Sequence, residues 1–397
     1  MNVTAPAIGR RRWLILAVGV FAQAAQAVLV NGTAFLIPTL HETRGLSLAQ
    51  AGTLAAAPVF GVLLTLVLWG ALADRYGERM VLAGGMALAA LAAGAAATTD
   101  SLPALAALLI VGGAAAAAAN AASGRVVVGW FPMRQRGLAM GIRQMSLPLG
   151  VAVGAMTIPT LAREHGVGAA LGFAAVVCAA AALACLLGIV DPPRPDRRQA
   201  AEQGLLDNPY RSGRMLQRIH AASVLLVVPQ YVVWTFALVW LVTDRGWSES
   251  AAGLAVTVAQ FGGAAGRVLA GVWSDRVGSR LRPMRTVAVA VTASMAALAL
   301  TALGDSPVAI VLLVVASVAT VSPNGLAFTA VAEIAGPYWG GRALGLQNTG
   351  QFLAAAAVGP VFGGLIGAAG FPAAFAIAAL FPAAAVPLVP TRDTMHR

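Results

Sequence analysis

The segment Gly70-Ala-Leu-Ala-Asp74-Arg75-Tyr-Gly77-Glu-Arg79 returns as Gly271-Val-Trp-Ser-Asp275-Arg276-Val-Gly278-Ser-Arg280. Each copy closes a long apolar run, and the register between them extends upstream through Ser47 and Ser248, Gly52 and Gly253, Phe60 and Phe261, and Gly61 and Gly262. A register only slightly longer then pairs Asn120 with Asn324, Ala139 with Ala343 and Gly141 with Gly345. Alanine-rich helices match by chance, but composition does not explain coincident Asp, Arg and Asn. The chain is therefore read as two copies of one unit. In each copy the first Gly lets helices approach closely, the second permits a turn, and the Asp can cap a helix N-terminus or pair with Arg.

Composition says where such a unit must sit. Of 397 residues 59% are hydrophobic and 10% are charged, whereas a soluble domain carries about a quarter charged residues. Too few polar side chains remain to cover a water-facing surface, so the surface faces lipid. A spanning helix needs about 20 mostly apolar residues. Twelve runs qualify: 13–40, 48–73, 80–98, 103–131, 137–161, 167–190, 217–242, 250–273, 284–303, 306–335, 341–367 and 371–390. The expected fold class is all-α integral membrane, with twelve transmembrane helices in two pseudo-symmetric bundles of six. The expected order is an N-terminal tail at 1–12, a first bundle at 13–190, a Pro- and Arg-rich linker at 191–216, a second bundle at 217–390 and a tail at 391–397. The run after Arg10 to Arg12 resembles a secretory signal but continues without a convincing cleavage site, and is read as a retained first helix.

The net charge of +11 would suggest nucleic acid in a soluble protein. Here all 26 basic residues are arginine, and they lie mostly in the short gaps between apolar runs. With an inside N-terminus, 20 arginines fall on inside segments and three, Arg44, Arg163 and Arg245, on outside loops. The positive-inside bias places both termini and the linker in the cytoplasm, and the expected location is the cytoplasmic (inner) membrane. Cys178 and Cys185 are about 10.5 Å of helix rise apart, too far to bridge within one helix, and read as apolar fillers. No cofactor, metal or nucleic-acid partner is expected.

The duplicated loop, its position after the second and eighth spans, and the twelve-span duplication make the chain similar to the major facilitator superfamily over nearly its whole length. The resemblance implies alternating access, with the loop latching the bundles on the cytoplasmic side. On that basis Asp74, Arg75, Asp275 and Arg276 are expected to gate, and Arg125, within about one turn of Trp130 and able to reach the cytoplasmic interface or Asp74, is added from its own position. A superfamily motif of drug antiporters, Gly359-Pro-Val-Phe-Gly363-Gly364, falls in the eleventh span and not the fifth, which weakens an efflux reading.

Ionisable groups inside spans are functional candidates by default, and three stand out: Arg125, Arg143 and Arg267. Arg267 lies about 9 Å of helix rise from Trp273, too deep for simple snorkelling. By resemblance it occupies the place of an anion-binding arginine in the monocarboxylate and oxalate-type branches, although the aspartate that precedes that arginine in monocarboxylate carriers is absent. A guanidinium fork suits a carboxylate. Gln23, Gln26 and Asn31 share a face of the first helix, Gln230, Tyr231 and Trp234 a face of the seventh, and Asn120, Asn324, Gln347 and Asn348 extend the polar set. Glu333 is the candidate proton site. Each uncharged polar residue could equally serve as an interhelical hydrogen bond. The expected function is secondary transport of a small organic anion, favoured as a monocarboxylate, by a monomer, with a proton as candidate coupling ion. The alternatives are a drug or metabolite exporter and, from another class, a non-transporting receptor or scaffold. Enzyme activity is not expected, because no span holds a nucleophile with a base or paired catalytic carboxylates.

Overall fold

The structure is a computed structural model that describes residues 5–304 and 306–391. The assignments made to residues 1–4 and 392–397 of the two tails lie outside the described residues. Among those described, every regular element is a helix. The spanning helices are α1 (Ala5–Gly32), continued by a 3-10 turn at Thr33–Leu36 and by α2 (Ile37–Arg44), then α3 (Leu48–Tyr76), α4 (Glu78–Ala97), α5 (Leu102–Trp130), α6 (Met133–Arg143) and α7 (Ser146–Gly188). A short linker helix, α8 (Arg197–Glu202), precedes α9 (Met215–Thr243), α10 (Glu249–Val277), α11 (Leu281–Ala302), α12 (Val308–Val321), α13 (Pro323–Ala335) and α14 (Gly340–Leu388).

Ten continuous helical stretches among the described residues are long and apolar enough to cross a membrane. Two of them, Met133–Gly188 with 56 residues and Gly340–Leu388 with 49, would be about 84 and 74 Å long as single rods, against a hydrocarbon core of about 30 Å. Each must turn back. The turns are at Gly166, with φ 86°, and Gly370, with φ 78°, in the positive-φ region where Gly is favoured. The two glycines occupy equivalent places in the repeats, and the ten stretches thereby supply twelve crossings.

Large side chains on the outer faces stay exposed, as in Leu187, Phe261 and Leu300 at 70% or more, which suits lipid and not water. Alanine is frequent on the buried faces, beside larger Leu, Val and Phe side chains. In α5 the run Ala115–Ala119 is buried throughout, so this helix lies deep among its neighbours.

The chain divides into two compact units. Of the described residues, one comprises 5–131, 145–207 and 336–348; the other comprises 132–144, 208–304, 306–335 and 349–391. The first therefore includes the start of α14 and the second includes α6. In the second, α9, α11, α12 and the far part of α14 enclose a hydrophobic core in which Trp240 meets Phe375 edge-on at 5.4 Å.

Candidate functional site

In the first unit the motif ends α3 with Asp74 buried. Gly70 lies against the backbone of Gly341, so close that a Cβ at either glycine would overlap the other's carbonyl. This brings the start of α14 beneath Asp74. Its Oδ1 accepts the Gly341 amide at 2.7 Å and its Oδ2 the Arg342 amide at 3.0 Å, satisfying two donors that a helix start leaves open. Arg125 of α5 donates from Nη1 to Asp74 at 2.9 Å, and its Nε pairs with Glu78 at 3.0 Å. From the linker, Arg194 bonds Glu78 at 2.8 Å and the Asp74 and Ala73 carbonyls at 2.7 and 3.0 Å.

The second unit repeats the capping with other chemistry around it. Gly271 packs on the Gly137 backbone, and Asp275 accepts the amides of Gly137 and Leu138 at 2.9 and 2.8 Å. These amides are the repeat equivalents of Gly341 and Arg342. Around the Asp, however, acid and base have exchanged places. Arg280 of the loop donates to Asp275 at 2.6 Å and to Glu333 of α13 at 3.2 and 3.3 Å, and Arg136 reaches Glu333 at 3.3 Å. Burial works against the Arg280 charge, but Glu333 and Asp275 outweigh it and raise its pKa. The second turn glycines, Gly77 and Gly278, both have positive φ, 93° and 66°.

The expected gating residues thus separate. Asp74, Asp275 and Arg125 are locked into these networks, whereas Arg75 and Arg276 are exposed and Arg75 lies over its neighbour Tyr76. Sequence reasoning missed Glu78, Arg194, Arg136 and Arg280 as partners. The repeat comparison carried no signal for the first network, since Glu78 aligns with Ser279 and Arg125 with Thr329.

The candidate binding residues form a polar set in each unit. In the first, Gln23 of α1 donates to Asn120 of α5 at 3.0 Å. Gln26 and Gln347 are buried, Asn31 is half-buried, and Asn348 bonds the Leu344 carbonyl of its own helix at 2.9 Å. In the second, Asn324 of α13 donates to Gln230 of α9 at 2.8 Å. Asn120 and Asn324, repeat equivalents, therefore each bond a glutamine on the first helix of their own repeat. Gln351 joins the second set by donating to Ser223 at 2.7 Å.

Both deep arginines of the second unit face aromatic rings. Arg143 ends α6, buried, with its guanidinium 5.6 Å from the Phe328 ring and bonded to Gln144 at 2.9 Å. Helix α6 ends there, and Gln144 and Met145 form a two-residue turn with helical backbone angles that leads into α7. Arg267 of α10 is 3% exposed, lies 5.7 Å from the Trp234 ring and has a buried Nε with no hydrogen-bond partner among the described residues. Trp234 itself meets Tyr231 edge-on at 5.5 Å. A cation over an indole face is partly compensated, but a buried N–H without an acceptor is costly, and an incoming carboxylate oxygen would supply one. Among the described residues no group of three or more His, Cys, Asp or Glu is placed to hold a metal.

Comparison with known proteins agrees with this architecture. The family model described as Major Facilitator Superfamily matches residues 14–357 and 219–394. The uncharacterized MFS-type transporter Rv2994 of Mycobacterium tuberculosis is 53% identical over 96% of this chain and 85% of its own length. The probable sulfoacetate transporter SauU of Cupriavidus necator is 26% identical over 83% of this chain and 81% of its own. Among solved structures, the proton:xylose symporter XylE superposes with a TM-score of 0.75 at 17% identity, covering 96% of each chain, a likeness of fold. The repeated loop, the twelve crossings and these matches lead to one assignment: the chain belongs to the major facilitator superfamily and is a multi-pass membrane transporter of small molecules.

Proposed function

We propose that the protein transports a small organic anion, a monocarboxylate in the favoured reading, by alternating access across the cytoplasmic membrane, as a monomer with both termini inside. The observation that carries the proposal is Arg267: a buried guanidinium over Trp234 with an unmet Nε donor. A carboxylate would meet that donor through a charge-assisted bond. The relative described as a probable sulfoacetate transporter supports an anionic substrate class. Arg143 supplies a second deep cation, and Gln23, Gln26, Asn31, Asn120, Gln230, Tyr231, Trp234, Asn324, Gln347 and Asn348 are the proposed polar contacts. We keep the two bundles at 13–190 and 217–390 as the moving parts, with Asp74, Arg75, Arg125, Asp275 and Arg276 as the gate.

Glu333 serves as the proton carrier of this proposal only when its pairs with Arg136 and Arg280 open. Proton coupling is thereby tied to movement of α6 and of the loop before α11. The test is counterflow in proteoliposomes across a panel of organic anions, with and without a pH gradient. Anion counterflow supports the proposal. Efflux of lipophilic drugs without any anion counterflow replaces it with the exporter reading.

A further inference from the structure

The first unit carries a second cationic feature, away from the deep polar set. A cavity of about 660 Å³ is lined by Asp74, Arg75, Arg194, Arg197, Leu206, Tyr338, Trp339 and Arg342. Its volume falls in the range of small-molecule sites. Three stretches of chain build it: the end of α3, the linker around α8, and the turn into α14. The stretches are tied together, since Tyr338 Oη donates to the Pro195 carbonyl and Trp339 Nε1 donates to the Leu206 carbonyl at 3.0 Å. The walls are therefore set before any ligand arrives.

The charge balance inside is uneven. Four guanidinium groups face one carboxylate, Asp74, and that carboxylate is already occupied by Arg125 and by the amides of Gly341 and Arg342. Arg194 is taken up by Glu78 and by backbone carbonyls. Arg75 and Arg197 form no ion pair with described residues, and Arg342 uses only Nη1, which donates to the Tyr338 carbonyl at 3.4 Å and lies 3.9 Å from Asp74, while its guanidinium stacks on Trp339 at 4.6 Å. Three forks with open donors thus border one preformed hollow. Guanidinium forks match phosphate oxygens, and an anion of two or more charges would relieve the mutual repulsion of the three.

We propose that this cavity binds a phosphate-bearing anion, held by Arg75, Arg197 and Arg342 beside the Trp339 ring. Two sources share that chemistry, a soluble phosphorylated metabolite and the headgroup of an anionic lipid. Bound there, the phosphate bridges α8 to the start of α14, the helix that Asp74 caps.

The test uses the full chain purified in detergent and follows its thermal midpoint during titration with inorganic pyrophosphate, and separately with short-chain phosphatidylglycerol or phosphatidylcholine. A saturable rise with pyrophosphate identifies the soluble source, and a rise with phosphatidylglycerol but not phosphatidylcholine identifies the lipid. Arg197→Gln removes one exposed fork on a short linker helix and should weaken the binding about tenfold or more. Its neighbour Arg198 is exposed but does not line the cavity. Arg198→Gln removes the same charge and should leave affinity within threefold. The proposal fails if neither probe binds, or if the two variants weaken binding equally, which is the behaviour of a generally basic surface.

Discussion

Removing Arg125 tests how the buried network around the first motif is held. Its side chain is 5% exposed and its partners Asp74 and Glu78 are 2% and 0% exposed. Deleting one member of a buried ion pair costs about 3 to 5 kcal/mol, because the partner's charge stays buried. Here both carboxylates keep other donors: Asp74 retains the Gly341 and Arg342 amides, and Glu78 retains Arg194. The expected loss for Arg125→Met is therefore near the lower limit, about 3 kcal/mol. Adding Glu78→Gln to Arg125→Met removes one of the two stranded charges and should restore about half of that loss, a coupling that a double-mutant cycle isolates. Arg125→Lys keeps the charge but has no planar fork to span two carboxylates, and should fall between parent and Met. Equilibrium unfolding in mixed micelles, followed by circular dichroism, measures each step. A Met variant within about 1 kcal/mol of the parent, or a double variant no more stable than Arg125→Met, would show that the two buried carboxylates do not depend on Arg125.

Further expectations follow from other parts of the structure. Asp74→Asn keeps its size but loses the charge that caps α14, and should slow transport while leaving substrate affinity within a few-fold; equilibrium binding beside counterflow rate separates the two. Gly271→Ala places a Cβ on the Gly137 carbonyl and should cost about 1 to 3 kcal/mol, whereas Gly253→Ala meets nothing within 4 Å and should be neutral or stabilising; monodisperse yield after heating reports the contrast. Reporter fusions within 191–213 and at both termini should give cytoplasmic signals, and a signal from the opposite face at 191–213 would overturn the orientation.

What the sequence made legible was whatever the duplication repeated. The aspartates of the loop, the glycines under them and the pairing of Asn120 with Asn324 recur in register, and each recurrence has a shared structural role. What differed between the repeats was harder to read. Glu78 and Arg125 in one copy, and Arg280 and Glu333 in the other, make similar buried networks with acid and base interchanged between loop and span. A motif shows that an Arg follows an Asp, but not which Arg turns inward: Arg75 and Arg276, adjacent to their aspartates, are exposed, while Arg280, five residues on, is buried.

The proposed anionic substrate class rests on Arg267. Substrate affinity should be measured on folded Arg267→Ala and Arg267→Lys proteins with the organic anion that gives the strongest counterflow in the parent. Losing a charge-assisted bond in a partly dehydrated site costs about 1.5 to 3 kcal/mol, or roughly ten- to a hundredfold in affinity. That order of loss is expected for Ala, with Lys intermediate because it keeps the charge and loses the fork. An Ala variant that binds the anion as tightly as the parent would contradict it, making Arg267 a structural residue packed on Trp234.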